Sequence, residues 1–346
     1  MSELQKSHFT THNLPLHERV NAWSESISTV FDISVDASRP LREDFNASVT
    51  SYLLNNQLMV SRCDTVGQRF ERSPLKVVRD NLDYYVIQTH LTGSQVMQRG
   101  KSAARCETGD LMIIDLAERH DAITTDFSQL TIVVPRHMLA PRLLAPDSQE
   151  GRVLPAALPL TRLAVSHLKT LFGMLEVFSA QEALQVIEPT LMLLASALNG
   201  RSDALENGSA MHSQLATAKL LIERSLHRPI SPEKLCVALG LSRSTLYRLF
   251  EPLGGVRAYV QERRLRRSAA DLFTQQHGRR RICDIAWAWG FASEAHFSRA
   301  FRQRFGVTPR EARQGLQSQP GLRLPPGAGA VGDRQYEQWL AENLRT

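Results

Sequence analysis

Two short stretches of this chain set polar and cationic side chains opposite an apolar stripe at helical spacing. In the first, Leu246, Leu249 and Phe250 fall at i, i+3 and i+4, which puts Arg243, Ser244, Thr245, Tyr247 and Arg248 on the other side of the same helix. In the second, Phe297, Ala300 and Phe301 form the stripe, and Glu294, Ala295, His296, Arg299 and Arg302 face outward. A helix fits the major groove of B-DNA. There an Arg bonds guanine O6 and N7 in parallel, Ser and Thr reach bases or phosphates, and an Ala methyl can rest on thymine. The chemistry on offer is base-edge readout, in which no covalent bond is made or broken.

Each stretch sits in the same larger pattern, Ile230–Phe250 and Ile282–Phe301: a short helix, then Gly and an apolar residue, then a Ser, then a second helix. These are the parts of a helix-turn-helix. Gly240 and Gly290 supply the turns, and Ser242 and Ser293 are placed to cap the helices that follow. The glycines are offset by 50 residues and Phe250 and Phe301 by 51, so the second turn is one residue longer. Between the copies, Val256–Phe273 reads as one amphipathic helix with Tyr259, Val260, Leu265, Ala269 and Leu272 inward. At the helical rise it spans about 27 Å. Major grooves recur on one face of DNA at about 34 Å, so a single rigid helix can hold both heads in adjacent grooves of slightly bent DNA.

The charge follows the same division. Residues 213–317 carry 19 Lys and Arg against 8 Asp and Glu, whereas residues 1–212 carry 19 against 24. Positive charge gathered in one segment of about a hundred residues points to nucleic acid, because each neutralised phosphate releases counterions. The whole chain, 346 residues with 42% hydrophobic and 22% charged content, is long enough for two folded domains. No apolar run approaches the length of a membrane span, and Met1–Thr11 carries no apolar signal core, so a cytoplasmic protein is expected. Cys63, Cys106, Cys236 and Cys283 lie far apart, with no C-x-x-C pair and no nearby His at metal spacing, which disfavours zinc ligation and a disulfide framework alike. Gly327, Gly329 and Gly332 fit a dinucleotide fingerprint, but Pro325 and Pro326 stand where a strand would be needed, and no cofactor is expected.

From Phe45 to Pro135, short runs rich in Val, Ile, Leu, Thr and Tyr are punctuated by turn residues, predicting an antiparallel sandwich. Within residues 160–198 the period becomes helical, with Pro189 as an expected kink, and predicts two helices. Their leucine stripe, Leu163, Leu168, Leu171, Leu175 and Phe178, is expected to serve as a dimer seam. Residues 201–213 read as a linker, and 318–346 as a Pro/Gly-rich tail ending in a short amphipathic helix that docks on a domain. Trp23, Phe70, Tyr84, Tyr85 and His90 are candidates for lining a pocket, although ordinary core packing accounts for each as well.

The segment 214–317 resembles the DNA-binding domain of the AraC/XylS family of bacterial transcription regulators. The resemblance includes the closing Gly306, Val307, Thr308, Pro309, Arg310, Glu311, Ala312 and Arg313. It implies that Ser244, Tyr247 and Arg248 read bases in the first head and Ala295, His296 and Arg299 in the second. Residues 1–200 more loosely resemble the family's cupin-like effector and dimerisation domain, with Thr108, Gly109 and Asp110 similar to a common turn there. The expected fold class is a two-domain α+β chain, a cupin-like β-sandwich with flanking helices followed by an all-α double helix-turn-helix domain. The expected function is a sequence-specific regulator, an activator responding to a small organic effector, working as a homodimer on double-stranded DNA with RNA polymerase. The alternative, a cupin-type enzyme fused to a DNA-targeting domain, needs a metal triad or a nucleophile with its base. His90 and His120 lack the metal spacing, so neither metal nor catalysis is expected.

Overall fold

A computed structural model of the chain describes residues 4–35, 45–80, 82–99, 102–200, 214–215, 217–219, 221–273, 280–318 and 333–340. The expected linker 201–213 and the Pro/Gly-rich run 319–332 lie outside them. The N-terminal elements are β1 (Gln5–Thr10), α1 (Leu16–Ile27), β2 (Asp32–Ser34), β3 (Ala47–Leu54), β4 (Leu58–Thr65), β5 (Arg69–Arg72), α2 (Pro74–Asp80), β6 (Tyr84–Thr92), β7 (Gln95–Arg99), β8 (Ser102–Cys106), β9 (Leu111–Asp115), β10 (His120–Thr124), β11 (Phe127–Pro135), α3 (Arg136–Leu139) and β12 (Arg152–Leu154). Two helices follow, α4 (Pro159–Met174) and α5 (Ala180–Asn199).

The strands form an antiparallel sandwich. One sheet has the order β1-β3-β4-β11-β6-β9-β12 and the other β2-β5-β10-β7-β8. The centre of the larger sheet is covered on both faces, so its middle strands carry buried residues on both sides; β9 is buried throughout. Its successive side chains still divide by period two. Ile87 and Ile113 point into the core shared with α4 and α5, whereas Val86 and Ile114 point into the core between the sheets.

The helical pair is part of that outer core. Leu168, Leu171 and Leu175 are at most 4% exposed and pack on the sheet with Ile187, Leu191 and Leu194, and Phe178 is partly buried against the same cluster. Of the five residues expected in a dimer seam, Leu163 alone stands out in solvent, at 55% exposed. A sheet with an apolar outer face must be covered, and the stripe covers it. Sequence periodicity reports a buried face without saying what buries it. α5 opens with a capping box at Ser179 and Glu182 and runs on through Pro189.

The C-terminal part is all helical: helical residues between 214 and 225 (α6), α7 (Pro232–Leu239), α8 (Arg243–Phe250), α9 (Val256–Phe273), α10 (Ile282–Ala288), α11 (Glu294–Phe305) and α12 (Pro309–Ser318). α12 opens with a capping box at Thr308 and Glu311: Glu311 N–H donates to Thr308 Oγ1 at 3.2 Å, and Thr308 N–H donates to Glu311 Oε2 at 2.7 Å. A last short helix, α13 (Gln335–Gln338), returns to the sandwich. Two small cores result. Leu226, Leu235, Leu246, Phe250 and Tyr259 centre the first head, and Leu265, Ile285, Phe297, Phe301 and Phe305 the second. The second core also takes in Val77 and Val78 from α2 of the sandwich domain. No described helix is long and apolar enough to cross a membrane.

Candidate nucleic-acid interface and effector cavity

The two heads are built alike. Gly240 and Gly290 end α7 and α10 at φ of 63° and 72°, a left-handed conformation that a side chain strains. Ser242 and Ser293 cap the next helices, accepting hydrogen bonds from Thr245 N–H and His296 N–H at 3.1 Å in both cases. The turn is one residue longer in the second head, as the spacing predicts.

The expected faces are the exposed ones. Leu246, Leu249, Phe250, Phe297, Ala300 and Phe301 are buried, while Arg243, Ser244, Tyr247 and Arg248 on α8 are exposed and Thr245 is half-buried at the cap. On α11, Glu294, Ala295, His296, Arg299 and Arg302 are all exposed, and His296 rests its ring edge-on against Phe291. Arg243 is held by Glu233 of α7 at 2.7 Å. Arg248 and Arg299, at matching positions in the two copies, have no acidic partner among the described residues, which leaves their guanidinium forks open toward solvent.

Sequence reasoning missed how the heads are fixed to one another. Arg264, midway along α9, donates to Leu226 O at 3.0 Å and Arg228 O at 2.7 Å, both from the first head, and to Gly290 O at 2.9 Å in the turn of the second. Its guanidinium lies against Gly290 so closely that a Cβ there would stand 2.8 Å from it. One fixed fork thus joins the segment between α6 and α7 of the first head, and the turn of the second, to the connecting helix. The one hint in the sequence is a run of arginines on a helix whose outer face already had enough charge.

The domains also meet through ions. Arg304 of α11 and Arg266 of α9 both bond Glu262, at 2.7 and 2.8 Å, and both reach Glu118 in the turn between β9 and β10 of the sandwich. Burial would push the Glu262 carboxyl up, but the two guanidiniums overrule it and hold it down at about 2. For Glu118 the balance falls the other way: burial raises its pKa despite the pull of Arg304 and Arg266.

Between the two sheets lies a cavity of about 80 Å3, lined by Trp23, Phe31, Phe70, Val86, Ile114 and other apolar side chains, with Gln88, Gln95, Gln129, Thr131 and Ser61 as its polar patch. Of the pocket candidates, Trp23 and Phe70 line it. Tyr84 and Tyr85 are packed in the cores on either side of the large sheet. His90 is fully buried away from the lining, and burial lowers its pKa. His120 reaches the cavity and is bonded through Nδ1 to Glu150 at 3.1 Å; burial pushes Glu150 up, against the pull of that imidazole. No cluster of His, Cys, Asp and Glu among the described residues could hold a metal ion.

A sandwich with an internal cavity, followed by two helix-turn-helix heads on one connecting helix, defines a β-sandwich domain fused to a DNA-binding fold. Residues 23–199 match the family described as AraC-binding-like domain, and residues 235–315 match a helix-turn-helix domain family. The chain belongs to the AraC family of transcription regulators. It is 36% identical over 109 residues to the HTH-type transcriptional regulator GbdR of Pseudomonas aeruginosa, a match covering 30% of this chain and 29% of that relative. It is 25% identical over 252 residues to the transcriptional activator NphR of Rhodococcus sp, covering 69% of this chain and 72% of NphR. Its fold resembles the crystal structure of the AraC-like transcriptional activator CuxR, with a TM-score of 0.54 at 21% identity, over 77% of this chain and 96% of that one.

Proposed function

We propose that this chain is a transcriptional activator that reads a specific DNA site with two heads and answers to a small organic molecule held in the sandwich. The observation that carries the reading is the pair of exposed polar faces on α8 and α11, locked to one connecting helix by Arg264 inside the basic segment of the chain. Ser244, Tyr247 and Arg248 read one half of the site and Ala295, His296 and Arg299 the other, with Ala295 against a thymine methyl. Arg243, Thr245, Glu294 and Arg302 flank them at the backbone and groove edges.

The cavity between the sheets is the effector site in this reading, and nothing in it is assigned a catalytic role. Two copies pair through the outer sides of α4 and α5, where Leu160, Leu163, Leu184 and Met192 are exposed. The dimer acts in the cytoplasm and engages RNA polymerase at the promoter. Selection of binding sites from random DNA, followed by footprinting, tests the core of it. Protection should cover two successive major-groove segments on one DNA face and weaken steeply with salt. Protection of a single groove segment would overturn the two-headed reading.

A further inference from the structure

We propose that the C-terminal segment 333–340 is a movable wall of the effector cavity, so that Tyr336 and Leu340 touch the bound ligand, which is uncharged and largely apolar with one hydrogen-bonding end. This inference rests on the reading of the sandwich as the sensor and adds the part of the chain that closes it and the class of molecule it admits.

Tyr336 and Leu340 are part of the cavity lining although they follow the DNA-reading heads in sequence. The segment is seated by specific bonds on the opposite end of the chain. Ser7 Oγ donates to Asp333 O at 3.1 Å, and Tyr336 N–H donates to Ser7 Oγ at 3.2 Å. Ser26 of α1 bonds both the Tyr336 hydroxyl and the Glu337 carboxylate, and Arg334 holds Glu337 at 2.6 Å. Tyr336, Trp339 and Leu340 are at most 5% exposed.

Two features mark this as a wall rather than plain core. First, the space left beside it is small, room for roughly half a dozen waters, so a ligand with a ring or two must displace the side chains that border it. Second, the segment buries polar groups where an all-apolar plug would suffice: Glu337 is 3% exposed, and burying a carboxyl is unfavourable compared with solvating it. A strap held partly by such groups leaves more readily than one held by leucines.

The lining sets the ligand class. Gln88 and Gln129 are each 7% exposed, and neither Oε1 has a hydrogen-bond partner among the described residues. Buried carboxamides left this way call for a polar group from a ligand. No Lys or Arg lines the cavity, and its imidazole is engaged by Glu150. A ligand carboxylate would therefore be desolvated without a counter-ion, which excludes organic acids and favours a neutral alcohol, phenol or amide.

Cys63 lines the cavity, while Cys106 is fully buried in the same inter-sheet core without lining it, so the pair reports cavity opening against loss of packing. The experiment is alkylation of the full-length native chain by N-ethylmaleimide, followed by peptide mass spectrometry at both thiols, in the parent and in Tyr336→Ala/Leu340→Ala. The expected result is that Cys63 reacts roughly ten-fold faster or more in the variant while Cys106 stays protected. An unchanged Cys63 rate overturns the wall, and so does a parallel rise at Cys106, which would make the segment ordinary core. Naphthol should then slow alkylation of Cys63 in the parent while naphthoate does not; equal protection by both, or by neither, overturns the ligand class. None of these readouts involves DNA, so their failure leaves the reading of the heads untouched, to be judged by footprinting.

Discussion

Arg266, on the helix that carries both reading heads, bonds Glu118 of the sandwich at 3.2 Å, and Arg304 at the end of the second reading helix reaches the same carboxylate. The sandwich is therefore tied by ion pairs to the second head and its connecting helix. Burial raises the Glu118 pKa against the pull of Arg304 and Arg266, so the cost of desolvating the carboxylate offsets part of what its ion pairs contribute. Glu118→Gln should leave domain docking nearly intact, whereas Glu118→Lys sets a third cation against two guanidiniums and should separate the domains. Small-angle scattering checks both: the Lys variant should expand and the Gln variant should not.

Acid should loosen the joint through Glu262. Its carboxyl sits at about 2 against an ordinary 4.5. A depressed carboxylate contributes stability that is present above the ordinary value and lost as pH falls toward the depressed one. That contribution is on the order of 3 kcal/mol. The loss falls between about pH 5 and pH 2. Glu262→Gln should lower stability at neutral pH and flatten its decline in that window, as followed by denaturant melts across pH. A variant curve parallel to the parent's would mean that Glu262 contributes nothing there.

Arg248→Ala and Arg299→Ala should each weaken specific binding by about 1 to 3 kcal/mol and relax base preference at separate positions, because each removes a base-edge donor. Titration against a panel of single-base operator variants reads both effects. A uniform loss across all sequences would make that arginine a phosphate contact.

Arg264→Ala removes bonds to three carbonyls from two heads. Its cost to stability should be about 2 to 4 kcal/mol. Its larger effect should appear when the spacing between the two half-sites is altered. The parent should tolerate one spacing, and the variant several at lower affinity. Gel-shift assays on a spacing series decide this.

Leu168→Ala should destabilise the sandwich by about 2 to 5 kcal/mol without altering assembly, since its side chain faces the sheet. Leu163→Glu, on the exposed side of α4, should yield monomers that remain fully folded. Sedimentation combined with thermal melts separates the two outcomes, and a dimer unaffected by Leu163→Glu would place the interface elsewhere.

The reading heads were legible because their signals are local: a glycine, a cap and a stripe within twenty residues determine which face of α8 or α11 looks outward. The strands of the sandwich were legible for the same reason, although β1 and α1, which are polar in composition, were not. What stayed hidden depends on contacts between distant segments. Leu168 reads alike whether its stripe meets a partner or its own sheet. Arg264 is indistinguishable in sequence from its neighbours Arg263 and Arg267, yet it is the one that bonds carbonyls of both heads, Leu226 and Arg228 in the first and Gly290 in the second. Tyr336 announced a helix that docks, but nothing near it indicated that the dock is the cavity.

The presence of Val77 and Val78 in the core of the second head makes the two heads unequal in origin as well as position. The ribosome delivers α2 long before α11, so the later head condenses onto a surface already made, while the core of the earlier one, among the described residues, takes nothing from the sandwich and is edged only by Trp289 of its neighbour. Exchanging reading domains between relatives at the expected linker would transplant the first head whole and leave the second without part of its interior. A chimera that also carries α2 of its donor is the one that should recover two-headed binding.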